Sequence, residues 1–276
     1  MSHGRADPVV VVGGGAAGVE AAFALRERGH DEPLILVSDE PELPYRRGEL
    51  PGRYLRGEVG SDAIRLAPLE AYRRAGIDLL LGARATALRP AARRLAIRGH
   101  GHLRYRRAII ATGSVLVDGI PGPPPFRVRT RPEADELRAA SRPGGRAIVV
   151  GAGPLGRDVA SSLRWLGMEV LVLDERDTLP DGSDPGLPQL ERQGVVVRMR
   201  SQVVEFGGHE RATAVRTAHG ARWQAELVVA ATGTRPADQL LVAAGIEVRG
   251  RLAGSGALHR TSDPFVLVTG DVARHE

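Results

Sequence analysis

The chain has 276 residues, 42% hydrophobic and 26% charged, a globular composition with room for two domains. It contains no cysteine and no lysine, so all 38 basic residues are arginine; that excludes disulfides, thiolate nucleophiles, Cys-ligated zinc or iron–sulfur clusters, Schiff-base lysines and the Walker phosphate loop. The net charge of +5 comes from scattered arginines without a dense basic run or stacking motif, which argues against a nucleic-acid partner.

No apolar run approaches the roughly 20 residues that cross a bilayer, and residues 1–8 lack the apolar centre of a signal peptide, so a cytoplasmic location without membrane attachment is expected. Val9 to Val12 is a continuous β-branched run suited to a strand buried on both faces of a parallel sheet. It leads into Gly13-Gly14-Gly15-Ala16-Ala17-Gly18, then into a helix-forming stretch that stops at Gly29. Leu34 to Val37 reads as the next strand, followed by Asp39 and Glu40. Further on, Asp78 to Leu81 reads as a strand, and Leu95 to Arg107 as two strands around a His100-Gly101-His102 turn. Two histidines in one turn, with no third ligand nearby, predict a solvated turn and no metal site; His259 and His275 have no partner pattern either. Ala108 to Gly113 is an apolar strand ending in Ala111-Thr112-Gly113, and the proline-rich stretch from Ile120 to Phe126 reads as a linker before a helix at Pro132 to Ser141.

The opening phrase then repeats. Ile148 to Val150 lead into Gly151-Ala152-Gly153-Pro154-Leu155-Gly156, a helix, a stop at Gly167, a strand from Val170 to Leu173, and Asp174. The motif glycines and the stop glycine are displaced by 138 positions between copies, and the acids Asp39 and Asp174 by 135. Leu155, Val159, Leu163 and Leu166 line one face of the second helix at helical spacing. Val195 to Arg198, Val203 to Phe206 and Ala212 to Thr217 read as a meander, Leu227 to Gly233 repeats the Ala-Thr-Gly ending, and Phe265 to Thr269 delivers Gly270-Asp271. A glycine turn of this kind between strand and helix suits a dinucleotide: tight turn, close backbone approach to pyrophosphate, close helix packing, and an acid to receive the adenosine ribose. Two copies imply two such sites.

These motifs together resemble the FAD- and NAD(P)-dependent pyridine nucleotide-disulfide oxidoreductases, on the ferredoxin-reductase branch. The carrying segments are VVVVGGGAAGVEAA, LVSDEPELPYRRGEL, both ATG turns, IVVGAGPLG and TSDPFVLVTGDVA. The resemblance implies an α/β fold of two Rossmann-like three-layer domains, with the FAD domain discontinuous around an inserted NAD domain. The ranges expected are 1–118 and 236–276 for FAD and 119–235 for NAD. It assigns Gly13, Gly15, Ala16, Ala17 and Gly18 to the FAD pyrophosphate, Asp39 and, more weakly, Glu40 to the adenosine ribose, and Arg47, Ala111, Thr112, Gly113, Arg129, Gly270 and Asp271 to the FAD surroundings. Gly151, Gly153, Leu155 and Gly156 would hold the pyrophosphate of the nicotinamide nucleotide, beside Gly233, with Asp174 on its ribose, favouring NADH over NADPH. Arg176 is close enough to answer a 2′-phosphate. Asp158 falls where relatives carry a glutamate near the nicotinamide, one methylene shorter.

The implied reaction is hydride transfer from NADH to FAD, with electrons then leaving for an external acceptor, a ferredoxin-like protein or a small molecule. Without cysteine, the disulfide exit used by other branches is excluded. Two departures from the family pattern stand out. The Pro44-Tyr45-Arg46-Arg47 loop continues as Gly48-Glu49-Leu50-Pro51-Gly52, without the lysine of relatives; Arg53 is the nearest replacement charge. The sequence given ends soon after Asp271, where relatives continue into a helix facing the flavin and then an interface domain. Expected alternatives are therefore a flavin-poor or inactive dinucleotide-binding subunit, or one subunit of a heteromeric dehydrogenase whose partner completes the flavin site.

Overall fold

A computed structural model describes residues 7–117, 119–177, 186–251 and 258–273; His275 lies outside them. The chain divides into two compact units. The first gathers Met1–Arg46, Arg65–Val115 and Arg235–Glu276, and the second Arg47–Ile64 and Leu116–Thr234. Residues 47–64, within the range that sequence alone gave to the first domain, thus join the second unit.

In the first unit, seven strands form one sheet in the order Val248–Arg251, Leu258–Thr261, Val266–Thr269, Arg107–Ile110, Val9–Val12, Leu34–Val37, Ile77–Leu80. The last five run parallel, and the first two pair antiparallel. Val9–Val12 sits inside the sheet with a partner on each side, which explains its unbroken valine run. Val9 and Val11 pack with Val19 and Ala22 of helix Ala16–Glu27. Val10 and Val12 pack with Leu88, Leu95 and Ile97 of a three-stranded antiparallel sheet on the opposite face. Helix, parallel sheet and antiparallel sheet make three layers.

Arginine here does structural work that lysine cannot. The Arg26 guanidinium donates to the carbonyls of Ala75 and Gly76 at 2.8 Å each and of Glu32 at 2.9 Å, as well as to that of His30. A planar five-donor fork meets several carbonyls that a point ammonium would not. Two phenols in the same unit lack partners. The hydroxyls of Tyr72 and Tyr105 are buried and find no hydrogen bond among the described residues. Burial pushes both phenols up to about 12. A buried donor without an acceptor costs about 1–3 kcal/mol, so Tyr72→Phe and Tyr105→Phe are each expected to hold or raise the melting temperature. A clear fall in either melting curve would reveal a hydrogen bond made through solvent.

The second unit carries a parallel sheet in the order Val196–Arg198, Glu169–Leu173, Arg146–Val150, Leu227–Ala230. A meander of Val203–Gly208, Ala212–Thr217 and Arg222–Gln224 covers one face, through Phe206, Val215 and Ala225 against Ile148, Val150 and Val228. Val196–Arg198 therefore belongs to the parallel sheet, where it pairs with Leu171–Leu173, and the third meander strand is Arg222–Gln224. Short three-residue strands with mixed burial carry too little periodicity to be placed by pattern. The proline-rich segment is packed rather than loose: Phe126 is buried, its N–H donates to Val228, and its carbonyl accepts from Ala230. Gly122, with φ +123°, lies where a Cβ would come 1.9 Å from the Phe206 oxygen.

Helix Pro154–Trp165 contacts the strands Arg146–Val150 and Glu169–Leu173, and its Val159 and Leu163 are fully buried. Its Ser162 is also buried, because its hydroxyl donates to the Pro51 carbonyl at 2.6 Å. Tyr54 donates to Asp135 at 2.8 Å. These two bonds fasten residues 47–64 to the helices of this unit.

Candidate cofactor-binding sites

The three motif glycines of each loop answer to two kinds of constraint. A Cβ on Gly13 would lie 2.1 Å from the Ala111 carbonyl oxygen, and one on Gly18 would lie 2.0 Å from the Gly13 oxygen. Both positions are closed by the protein's own backbone. Gly15 is different: nothing lies within 4 Å of its Cβ position, and its φ of −78° and ψ of 177° suit any residue. The second unit repeats the pattern. Gly151 would meet the Ala231 oxygen at 2.2 Å, Gly156 would meet the Gly151 oxygen at 1.9 Å, and Gly153 faces open space.

The two Ala-Thr-Gly turns owe their likeness to the same geometry. The Cβ atoms of Ala111 and Ala231 lie 3.3 Å from the Cβ positions of Gly18 and Gly156. Only a small side chain on that turn lets helix and strand approach so closely. Thr112 in turn donates to the Ala237 carbonyl at 2.7 Å, and the Gly113 carbonyl accepts from Ala237; Thr232 donates to the Val117 carbonyl at 2.9 Å, with Gly233 at φ +98° beside it.

Both helices begin at the open glycine. Val19 N–H donates to Gly15 O and Arg157 N–H to Gly153 O, so the N–H groups of Ala16, Ala17 and Gly18 have no intrahelical acceptor, nor do those of Leu155 and Gly156. Pro154 at the first helical position has no N–H to leave unpaired. Each open glycine thus faces a cluster of unpaired donors at the positive end of a helix dipole. A pyrophosphate fits both: the space is clear and the donors are present.

Around the first loop, the return segment contributes Gly270 and Asp271. A Cβ on Gly270, whose φ is +74°, would come 2.7 Å from the Ala17 side chain, which places this turn against the first turn of the helix. Asp271 accepts from the Ser114 hydroxyl at 3.2 Å. Asp39 is exposed just past the carboxyl end of strand Leu34–Val37, whereas Glu40 accepts from the Tyr45 hydroxyl. Arg47 and Arg129 lie in the second unit, where the Arg47 guanidinium donates to the Arg129 carbonyl at 3.3 Å. Glu133 caps the N–H groups of Arg129 and Thr130.

In the second unit, Asp174 is 5% exposed. Its Oδ2 accepts from Ala152 N–H at 2.6 Å and from the Arg176 guanidinium at 2.7 Å, while Oδ1 accepts from Arg176 N–H at 2.9 Å and Nε at 2.8 Å. Burial pushes its carboxyl up, but these bonds outweigh burial and hold it below the ordinary carboxylate range. Asp158 stands exposed on the Pro154–Trp165 helix, and desolvation raises its carboxyl against the lowering influence of Arg157 and Arg56. His100 and His102, with Asp78 and the side chains of Ile35, Leu80 and Leu103, line a cavity of about 230 Å³ in the first unit.

The model of one protein family, described as pyridine nucleotide-disulphide oxidoreductase, matches residues 7–276. The chain belongs to that family. It is 34% identical to the biphenyl dioxygenase system ferredoxin–NAD(+) reductase component of Paraburkholderia xenovorans (strain LB400), over 97% of this chain and 67% of the relative. It is 33% identical to putidaredoxin reductase CamA of Pseudomonas putida, again over 97% and 67%. Among solved structures, the covalent putidaredoxin reductase–putidaredoxin complex aligns with a TM-score of 0.85 at 30% identity, covering 98% of this chain and 68% of that one. Among the described residues, no helix is long and apolar enough to cross a membrane.

Membership in the family accounts for the doubled loop, but two polar residues at the sites carry no motif and are absent from the sequence reading. Gly13 N–H donates to Val37 O and Gly151 N–H to Leu173 O, so the residues that follow, Ser38 and Asp174, occupy matching positions. Asp39 corresponds to Glu175 instead. A Cβ on Gly14 would lie 2.6 Å from the Ser38 hydroxyl oxygen, so Ser38 fills the place beneath the first loop that Asp174 fills beneath the second. Matching the copies by their strand ends, rather than by their acids, is the signal that finds it. Ser114, the partner of Asp271, has no such signal.

Proposed function

We propose that this chain is a flavin-dependent NADH oxidoreductase that passes electrons to a ferredoxin-like protein. One observation carries the reading most: in each unit the first and third motif glycines answer to the protein's own backbone, and the middle one has nothing within 4 Å of its Cβ position among the described residues. Glycine there leaves room for an approaching ligand. FAD would take a hydride at its flavin ring and release the electrons to the acceptor.

The residues bind and orient. Gly15 leaves room for the FAD pyrophosphate, and the Ala16, Ala17 and Gly18 N–H groups donate to it. Asp39 is the acid available to the adenosine ribose, since Glu40 already accepts from Tyr45. Asp271, aimed by Ser114, receives a hydroxyl or donor of the flavin nucleotide. Gly153 and the Leu155 and Gly156 N–H groups do the same for the nicotinamide nucleotide, and Asp158 stands one turn further along the helix. The relatives named ferredoxin–NAD(+) reductase support the acceptor class, and an NADH-driven reductase is consistent with the cytoplasm.

The test is direct. The purified chain is incubated with FAD, desalted, and examined for the yellow absorbance of bound flavin; NADH is then added without oxygen. Retained colour that bleaches with NADH, followed by reduction of a [2Fe–2S] ferredoxin, is the expected result. A colourless protein that also fails to bind NAD⁺ would overturn the reading.

A further inference from the structure

An acid after the second strand is the usual discriminator against a 2′-phosphate, because it accepts the ribose 2′-hydroxyl and repels a second phosphate. Asp174 is not in a state to do either. A carboxylate offers about four acceptor directions, and here four donors of the chain itself occupy them: Ala152 N–H, Arg176 N–H, and the Nε and one terminal nitrogen of the Arg176 guanidinium. Its charge is matched by a forked guanidinium at 2.7–2.8 Å. The acid is also buried, whereas the Arg176 side chain is 37% exposed. Of this ion pair, the group nearer to solvent is therefore the guanidinium.

Among the described residues, no acid other than Asp174 forms an ion pair with that guanidinium. Glu175 is exposed beside it, and Asp177 is paired with Arg200 at 2.7 Å. Arg200, held at φ +55°, donates its N–H to the Arg176 carbonyl, and Arg198, exposed on the adjacent strand, supplies the carbonyl that accepts Asp174 N–H. Among the described residues, three acids and three arginines thus share the strand end, and their formal charges balance.

We propose that Arg176, aimed by Asp174, is the group that reads the ribose 2′ position, and that it seats a 2′-phosphate so that NADPH is accepted alongside NADH. Asp174 is then a positioning residue, joining the glycine loop to the guanidinium. The proposal rests on the second unit being the nicotinamide-nucleotide site. A guanidinium already flat against one side chain can donate its remaining N–H groups to phosphate oxygens without further ordering.

The experiment compares 5′-AMP with 2′,5′-ADP by calorimetric titration of the purified chain, which reads the adenosine end without flavin or turnover. In the wild-type chain, 2′,5′-ADP is expected to bind at least as tightly as 5′-AMP, and its advantage should shrink as salt rises. In Arg176→Ala, the ratio of the two affinities should fall by about tenfold or more against 2′,5′-ADP. Arg176→Ala leaves a buried carboxylate unpaired, so the salt series on the wild-type chain provides an independent reading should the variant not fold. Preference for 5′-AMP by more than about tenfold in the wild-type chain would overturn the proposal, as would an equal loss of both ligands in a folded variant. NAD⁺ and 5′-AMP binding with 2′,5′-ADP excluded would sink the proposal alone; no binding of any of them would sink the reading of the second unit as well.

Discussion

Gly153→Ala should fold and bind its nucleotide weakly, whereas Gly156→Ala, three residues away, should lose much of its stability. Both changes add one methyl group to the same loop, so the difference lies wholly in what each methyl meets. At Gly156 it would lie 1.9 Å from the Gly151 carbonyl oxygen. Backbone cannot rotate away as a side chain can, so the helix must lift off the strand, at a cost of about 3–5 kcal/mol. At Gly153 it meets no protein atom within 4 Å, and φ −66° with ψ 179° is open to alanine. Alanine is a poorer helix N-cap than glycine, but the stability loss should stay within about 1 kcal/mol. The methyl instead occupies the space from which unpaired N–H groups are reached, and NAD⁺ affinity should fall about tenfold to a hundredfold. Gly15→Ala should do the same for FAD, and Gly18→Ala the same as Gly156→Ala for the first unit. Thermal melting alongside nucleotide titration separates the two outcomes. A Gly153→Ala protein that keeps full NAD⁺ affinity would show that the open space is not the phosphate seat.

How much of this was legible in the sequence depended on whether a residue's partner was near in the chain. Val9–Val12, the two glycine loops and their helices are local patterns, and each was read from spacing that strand and helix geometry dictates. The Ala-Thr-Gly repeat was visible as a pattern, yet its cause was not, because Ala111 and Ala231 are fixed by contact with glycines far away along the chain. The placing of 47–64 in the second unit was illegible for the same reason: it depends on Ser162 reaching Pro51 and Tyr54 reaching Asp135, separations of 111 and 81 residues. Asp174 shows a subtler limit. By residue type alone, an acid after the second strand and an arginine two positions on read as rivals for one ligand. The fold makes them partners, since a bidentate ion pair two residues apart requires a backbone turn that residue identity does not announce. Asp39 and Asp174 stand one position apart in strand register, with Ser38 at the place of Asp174, a shift that residue type does not announce.

Asp174→Ala should therefore weaken the second unit itself. Removing the carboxylate leaves the N–H of fully buried Ala152 without an acceptor and frees a guanidinium that was held by two bonds. An unpaired buried donor and a broken, partly exposed ion pair together should cost about 2–4 kcal/mol. Asp174→Asn keeps one acceptor for Ala152 and loses the forked pair, so its loss should be about half as large. The pH dependence carries the signature. The folded-state carboxyl is held below its ordinary range, so between the folded value and the unfolded value near ~3.9 the unfolded chain binds more protons, and stability rises with pH. The stabilisation is complete above the unfolded value and is lost as pH falls through the folded one. The gap in stability between the wild-type chain and Asp174→Ala should therefore be constant near neutrality and close progressively below about pH 4. Denaturant titrations of both proteins across that window measure it. A gap that persists unchanged in acid would mean that the carboxylate contributes through packing rather than charge, and would remove the reason for treating Asp174 and Arg176 as one unit.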